Sequence, residues 1–170
     1  MTSIQPRPSR PSPPSPQSAA SPLITAELRD RLTAPHLWFV ATVDEEGAPH
    51  VTPMWVGTDG DTVWFNTAEG RIKERNLRRD PRVTLAHVAP DNPFDRVWIR
   101  GRVESFTTGP EADADMDALA RAYAGTERYE LGIPGERRVT IRVRPERVRR
   151  VVGVEPMPPG TPGSVPPSRG

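Results

Sequence analysis

Short β-branched and aromatic runs, separated by tight polar turns, constrain this chain more than any other feature. Leu37-Trp38-Phe39-Val40-Ala41-Thr42-Val43 ends at Asp44-Glu45-Glu46-Gly47, and His50 to Thr58 returns. Asp59-Gly60-Asp61 then turns the chain into Thr62-Val63-Trp64-Phe65-Asn66-Thr67. Runs of this length bounded by Asp/Gly clusters read as strands joined by hairpins. Val83 to Val88 makes a fourth strand, and Arg96 to Phe106 a fifth whose residues alternate. Val97, Ile99, Gly101 and Val103 share one face, while Arg96, Trp98, Arg100 and Arg102 share the other. Arg138 to Val143 makes a sixth, with Val148 to Val152 as a short addition. Helices are expected from about Thr25, as N-cap, to Leu32, again after Thr67, and from Glu111 to about Ala124. The pattern predicts a mainly β fold, a barrel of about six mostly antiparallel strands with flanking helices.

The ends differ in composition from the middle. Residues 1–22 are mostly Pro and Ser with Arg and Gln, and residues 155–170 are mostly Pro, Gly and Ser. Such segments have little to bury, so both are expected to be disordered around one folded domain spanning 23–154. There is no cysteine, which removes disulfides, thiolate metal sites and cysteine nucleophiles. No apolar run approaches the roughly 20 residues that cross a bilayer, and no secretory signal opens the chain. A cytoplasmic protein is the expectation. The net charge of +1 argues against nucleic acid as a partner, so anion recognition has to come from local clustering.

One cluster is dense enough. Lysine and arginine together number 23, and a single one of them, Lys73, is a lysine. It lies in Gly70-Arg71-Ile72-Lys73-Glu74-Arg75-Asn76-Leu77. With Thr67 as N-cap, the free N–H groups of a helix start here would favour a phosphate monoester, which Arg71 and Lys73 could grip from two flanks. Arg71, Arg75, Arg78 and Arg82 share a face if the helix lasts that long; such a stripe fits a polyanion, but taken alone it reads first as a solvated face paired with Glu74 and Asp80. Pro53 interrupts hydrogen bonding in its strand, as at an edge or beside a ligand. His36, His50 and His87 lack paired metal-ligand spacing; His50 begins a strand and His87 ends one, so each is expected to be a surface or turn histidine, and no Walker, G-x-G-x-x-G or G-x-S-x-G loop is present. The residues nominate no metal site and no catalytic acid or base.

The stretch from Gly47 to Trp55, then Asp59-Gly60-Asp61, then Gly70-Arg71-Ile72-Lys73-Glu74-Arg75-Asn76-Leu77-Arg78-Arg79-Asp80-Pro81-Arg82-Val83, resembles the pyridoxamine 5′-phosphate oxidase-like split-barrel flavoproteins. The Arg-x-Lys element resembles their branch that uses the deazaflavin coenzyme F-420. The resemblance implies a split β-barrel homodimer with the cofactor in a groove between protomers. Arg71, Lys73 and Thr67 would hold its phosphate, and Thr52, Pro53 and Met54 would lie along its ring. Arg75 and Arg78 would meet the polyglutamate tail of F-420, which flavin mononucleotide (FMN) lacks. The implied activity is hydride transfer from reduced F-420 to an electron-poor small molecule. The alternatives are an FMN-binding oxidoreductase of the same fold and a non-catalytic cofactor- or haem-binding protein. The chain departs from pyridoxamine phosphate oxidase itself in lacking that enzyme's C-terminal substrate-binding signature. The Arg96, Trp98, Arg100 face is expected to bury against the second protomer.

Overall fold

The computed structural model describes residues 22–153. Nearly all of the two Pro-rich ends therefore lies outside the described residues. The elements run α1 (Ala26–Thr33), β1 (Trp38–Val43), β2 (Pro49–Met54), β3 (Val56–Asp59), β4 (Thr62–Ala68), α2 (Ile72–Arg79), β5 (Arg82–Val88), β6 (Arg96–Thr108), α3 (Pro110–Ala124) and β7 (Arg138–Val151). All seven strands join one antiparallel sheet in the order β2-β1-β5-β6-β7-β4-β3.

That order fixes the shape. β2 and β3 are the two outermost strands, yet only Trp55 separates them in the chain. Neighbouring strands lie roughly 4.8 Å apart, so a flat sheet of seven would hold its outer strands about 29 Å apart. The Cα atoms of Met54 and Val56 can be at most about 7 Å apart. The sheet must therefore curl until its two edges approach at Trp55, without a hydrogen-bonded ladder closing it. Inside the curl lie Trp38, Val40, Phe65, Leu77, Leu85, Ile99 and Ile141, all buried. α1 adds Leu28 and Leu32, and its Thr25 side chain caps the Leu28 N–H.

The seam is tied by one phenol. The Tyr123 hydroxyl, carried on α3, accepts from the Val56 N–H at 3.1 Å. It also lies 3.1 Å from the His36 carbonyl and 3.2 Å from that of Val56, either of which can take its proton. Its ring stacks on Trp55 with centroids 5.2 Å apart. On the far side, β6 and β7 form the longest ladder, with irregularities at Arg100/Gly101 and Val103/Ser105. Gly101 is required there, because a Cβ would stand 2.4 Å from the Arg144 carbonyl oxygen.

Several expectations change. There are seven strands, not about six, because the run from His50 to Thr58 divides at Trp55 and its halves join opposite ends of the sheet. The barrel is open for the same reason. The Val148 to Val152 segment is largely the continuation of β7. His87 is not a surface residue: Val83, Leu85 and His87 point inward together, leaving the histidine 2% exposed. Burial, then the charges of Arg31 and His36, hold its pKa down to about 4, so the ring is neutral at physiological pH.

Replacing Tyr123 by Phe keeps the ring stack but leaves the Val56 N–H without its acceptor. Unfolding in urea should show a loss of about 1–3 kcal/mol.

Candidate functional site

α2 begins later than its sequence suggests. Ala68 still belongs to β4, where it stands opposite Arg138, and Gly70 turns the chain with φ +75°. The N-cap is therefore Arg71, not Thr67, and no side chain caps it. Glu74 instead reaches back to accept from the Gly70 N–H at 3.1 Å and pairs with Arg78. The contact is that of a capping box shifted one residue outward, to the residue before the N-cap, and it occupies the one carboxylate in the first turn.

Lys73 is left in an unusual state. It is only 7% exposed, and no carboxylate pairs with it among the described residues. Burial lowers its pKa, and the nearby charges of Arg71 and Arg138 lower it further. A buried ammonium is costly unless an anion compensates it. The buried polar atoms without hydrogen-bond partners include Thr52 Oγ1, His50 Nδ1 and Thr67 Oγ1. Buried polar atoms are usually satisfied. Lys73, Thr52 and His50 line one cleft of about 300 Å³ with Gly70, Arg71 and Arg75, at the first turn of α2, where N–H groups lack intrahelical acceptors. The cation, the orphaned groups and the helix start converge on a site for a phosphate-sized anion.

A second cleft, of about 200 Å³, adjoins it through Arg71. Its walls are mixed: Pro53, Met54, Trp55, Leu37 and Leu131 supply apolar surface, and Asn66, Thr67, Arg71 and Arg138 polar surface. Tyr129 stands edge-on to Trp55 at 6.1 Å and beneath the Arg138 guanidinium at 5.2 Å. Arg138 is itself fixed by Asn66 Oδ1 at 2.8 Å, and Asn66 is held by the Ala112 carbonyl and Thr140. A cleft with apolar and polar walls that adjoins a cation-lined one suits a ring carrying a phosphate.

Of the sequence-nominated residues, Thr52, Arg71, Lys73 and Arg75 line the anion cleft, and Pro53, Met54, Thr67 and Arg71 the second one. Strand alternation divides β2, so Thr52 faces inward with its partner Val40 while Pro53 pairs with outward-facing Phe39. The arginine stripe does not form. α2 ends at Arg79, and Arg82 lies in β5 paired with Asp80. Arg78 is engaged by Glu74 and lies 4.4 Å over the Phe106 ring, outside both clefts. Arg71 pairs with Glu136, and Arg75 donates to the Gly70 carbonyl. Sequence reasoning missed His50, Asn66, Tyr129 and Arg138. Only the inward parity of His50 was readable, since the other three reach the site through β4–β7 pairing and the segment after α3.

Residues 24–152 match the profile of the pyridoxamine 5′-phosphate oxidase family. The chain belongs to that family. No curated protein matches it at a significant level. Among solved structures it is similar to an F420 reductase, with 32% identity over 71% of this chain and 94% of that one, at a TM-score of 0.64. It is also similar to a conserved hypothetical protein from Mycobacterium tuberculosis, with 26% identity over 77% and 87% of the two chains and a TM-score of 0.61. A heme binding protein from Mycobacterium smegmatis shares 27% identity over 72% of this chain and 51% of its own, at a TM-score of 0.53. No described helix is long and apolar enough to cross a membrane.

An ammonium held for a ligand should lower the stability of the ligand-free protein. Lys73→Met should therefore raise that stability by about 0.5–2 kcal/mol and abolish any stabilisation by added inorganic phosphate. Thermal melts with and without phosphate check both.

Proposed function

We propose that the protein is an oxidoreductase that uses reduced deazaflavin coenzyme F-420 to reduce an electron-poor small molecule. In this reading it works in the cytoplasm as a split-barrel homodimer. The observation that carries the proposal is Lys73, a buried residue whose ammonium pairs with no carboxylate among the described residues, beside orphaned threonine hydroxyls where two clefts meet. The identity with an F420 reductase over most of both chains supports F-420 over FMN. The two clefts themselves suit either ring and phosphate.

The chain's own residues would bind and orient. Lys73 and Thr52 would hold the phosphate with Arg71, which would exchange Glu136 for it; Thr67 would take part from the adjoining slot. Pro53 and Met54 would lie along the ring, with Leu37 and Leu131 excluding water. Arg75 is the helix arginine nearest a charged tail, and Arg78 would have to give up Glu74 to reach one. Reduced F-420 supplies the hydride, so no protein acid or base is required of the site.

The outward face of β2, β1, β5 and β6 supports the dimer in this reading. Val51 is 54% exposed and Phe39 44%. The register aligns Pro53, Phe39, Ala86 and Trp98 across four strands. An exposed apolar band of this kind marks an interaction surface. Since Pro53 also lines the ring slot, a partner docked on the band would border the cofactor, as a shared groove requires.

Cofactor affinity tests the reading. F-420 should bind more tightly than FMN, and Lys73→Ala should weaken F-420 by about tenfold to a hundredfold, roughly 1.5–3 kcal/mol. Preferred binding of FMN would move the protein to the flavin side of the family. Binding without reduction of any acceptor in a broad panel would make it a carrier. An unchanged dissociation constant in a folded Lys73→Ala variant would remove the phosphate site.

A further inference from the structure

Arg71 is shared by the anion cleft and the second cleft, and in the ligand-free protein it is already occupied. One oxygen of the Glu136 carboxylate accepts from its Nε at 3.1 Å and from its Nη2. The other lies 3.5 Å from Arg138 Nη1. A carboxylate presents to a guanidinium the same kind of charged oxygen that a phosphate does. Glu136 therefore stands in for part of the anion that the cleft would take.

Glu136 belongs to residues 125–137, which join α3 to β7 without a helix or strand. The segment is anchored near its start, where the Tyr129 N–H donates to Asp117 Oδ1 at 2.9 Å. It is anchored again at its end, where the Arg137 carbonyl accepts from the Glu69 N–H at 2.9 Å. Between these anchors, among the described residues, every hydrogen bond or ion pair that ties residues 130–136 to another element runs through the Glu136 carboxylate. Packing adds little, since Leu131 is 77% exposed and Ile133 63%. Yet Leu131 forms part of the wall of the second cleft. The pair is weak enough to exchange: the Arg71 side chain is itself partly exposed, and such ion pairs hold loosely. A phosphate would gain Lys73 and the free N–H groups of α2 along with Arg71.

We propose that Glu136 is a latch. It fills Arg71 in the ligand-free protein, and an anion captured by Arg71 releases residues 130–136, so that occupation of the anion cleft frees one wall of the second. The latch rests on the phosphate site of the proposed function, but not on which cofactor carries the phosphate.

Isoleucine methyl groups report on both events, because Ile72 lines the anion cleft and Ile133 lies on the latched segment. Titration of methyl-labelled protein with inorganic phosphate should shift both NMR resonances along one binding curve. In Glu136→Gln the Ile133 resonance should stand near its phosphate-bound position before phosphate is added, and phosphate should bind about twofold to fivefold more tightly. That gain should vanish in an Arg71→Ala background, where there is nothing to latch. An equal gain in both backgrounds would mean that Glu136 only repels anions, and would overturn the proposal. So would a shift at Ile72 with Ile133 stationary, which would leave the phosphate site intact. Silence at both positions, in parent and variant alike, would remove the phosphate site and the latch together.

Discussion

The peptide continuity of Met54-Trp55-Val56 governs this structure. Strands that are neighbours in the chain end up as the two free edges of a seven-stranded sheet. A single residue cannot bridge a flat sheet, so the sheet curls, and the curl creates both the core and the site. Trp55 leaves the ladder at the point where the edges meet, and that break would expose backbone groups. Tyr123 meets the need with one hydroxyl that receives the Val56 N–H and faces two carbonyls. The seam cannot be a closed ladder, and the space beside it becomes the second cleft between Pro53, Trp55 and Tyr129.

The anion cleft forms where three consequences of that curl converge. β2 brings Thr52 and His50 to the edge, Gly70 turns the chain out of β4, and α2 starts at Arg71 with Lys73 folded inward. Each polar group there lacks something. Glu74 is engaged by Gly70 and Arg78, Glu136 by Arg71 and Arg138, and nothing remains for Lys73. Packing alone would favour an apolar residue at that position. A charged group retained at a cost to stability is the mark of a site shaped for a ligand.

Much of this was readable in the chain. Alternation located β1, β5, β6 and β7 because one face of each is buried, and the Asp/Gly turns located the hairpins. The Arg-x-Lys spacing singled out Arg71 and Lys73, which line one cleft at the start of α2. Position 55 shows what could not be read. A β-rich run from His50 to Thr58 gives no sign that its halves pair with β1 and β4 at opposite ends of the sheet. Thr67 carries the chemistry of an N-cap, yet β4 runs one residue past it because Ala68 pairs with Arg138. The arginine spacing suggested one long stripe, but Asp80-Pro81 stops the helix and local carboxylates take up Arg78 and Arg82. His87 was misread because a polar residue near a strand end looks exposed, although its parity with Leu85 faces it inward.

Because Lys73 is the one lysine of the chain, isotopic labelling of lysine gives a single side-chain resonance that reports on the proposed phosphate site. Its titration by NMR tests the central claim most directly. In the ligand-free protein the ammonium should titrate below the ordinary 10.5, since burial and the Arg71 and Arg138 charges oppose its protonation. Adding F-420 should move the pKa upward, as a phosphate placed beside the ammonium stabilises its charged form. A lysine that titrates at 10.5 and does not move on saturation with cofactor would contradict the account.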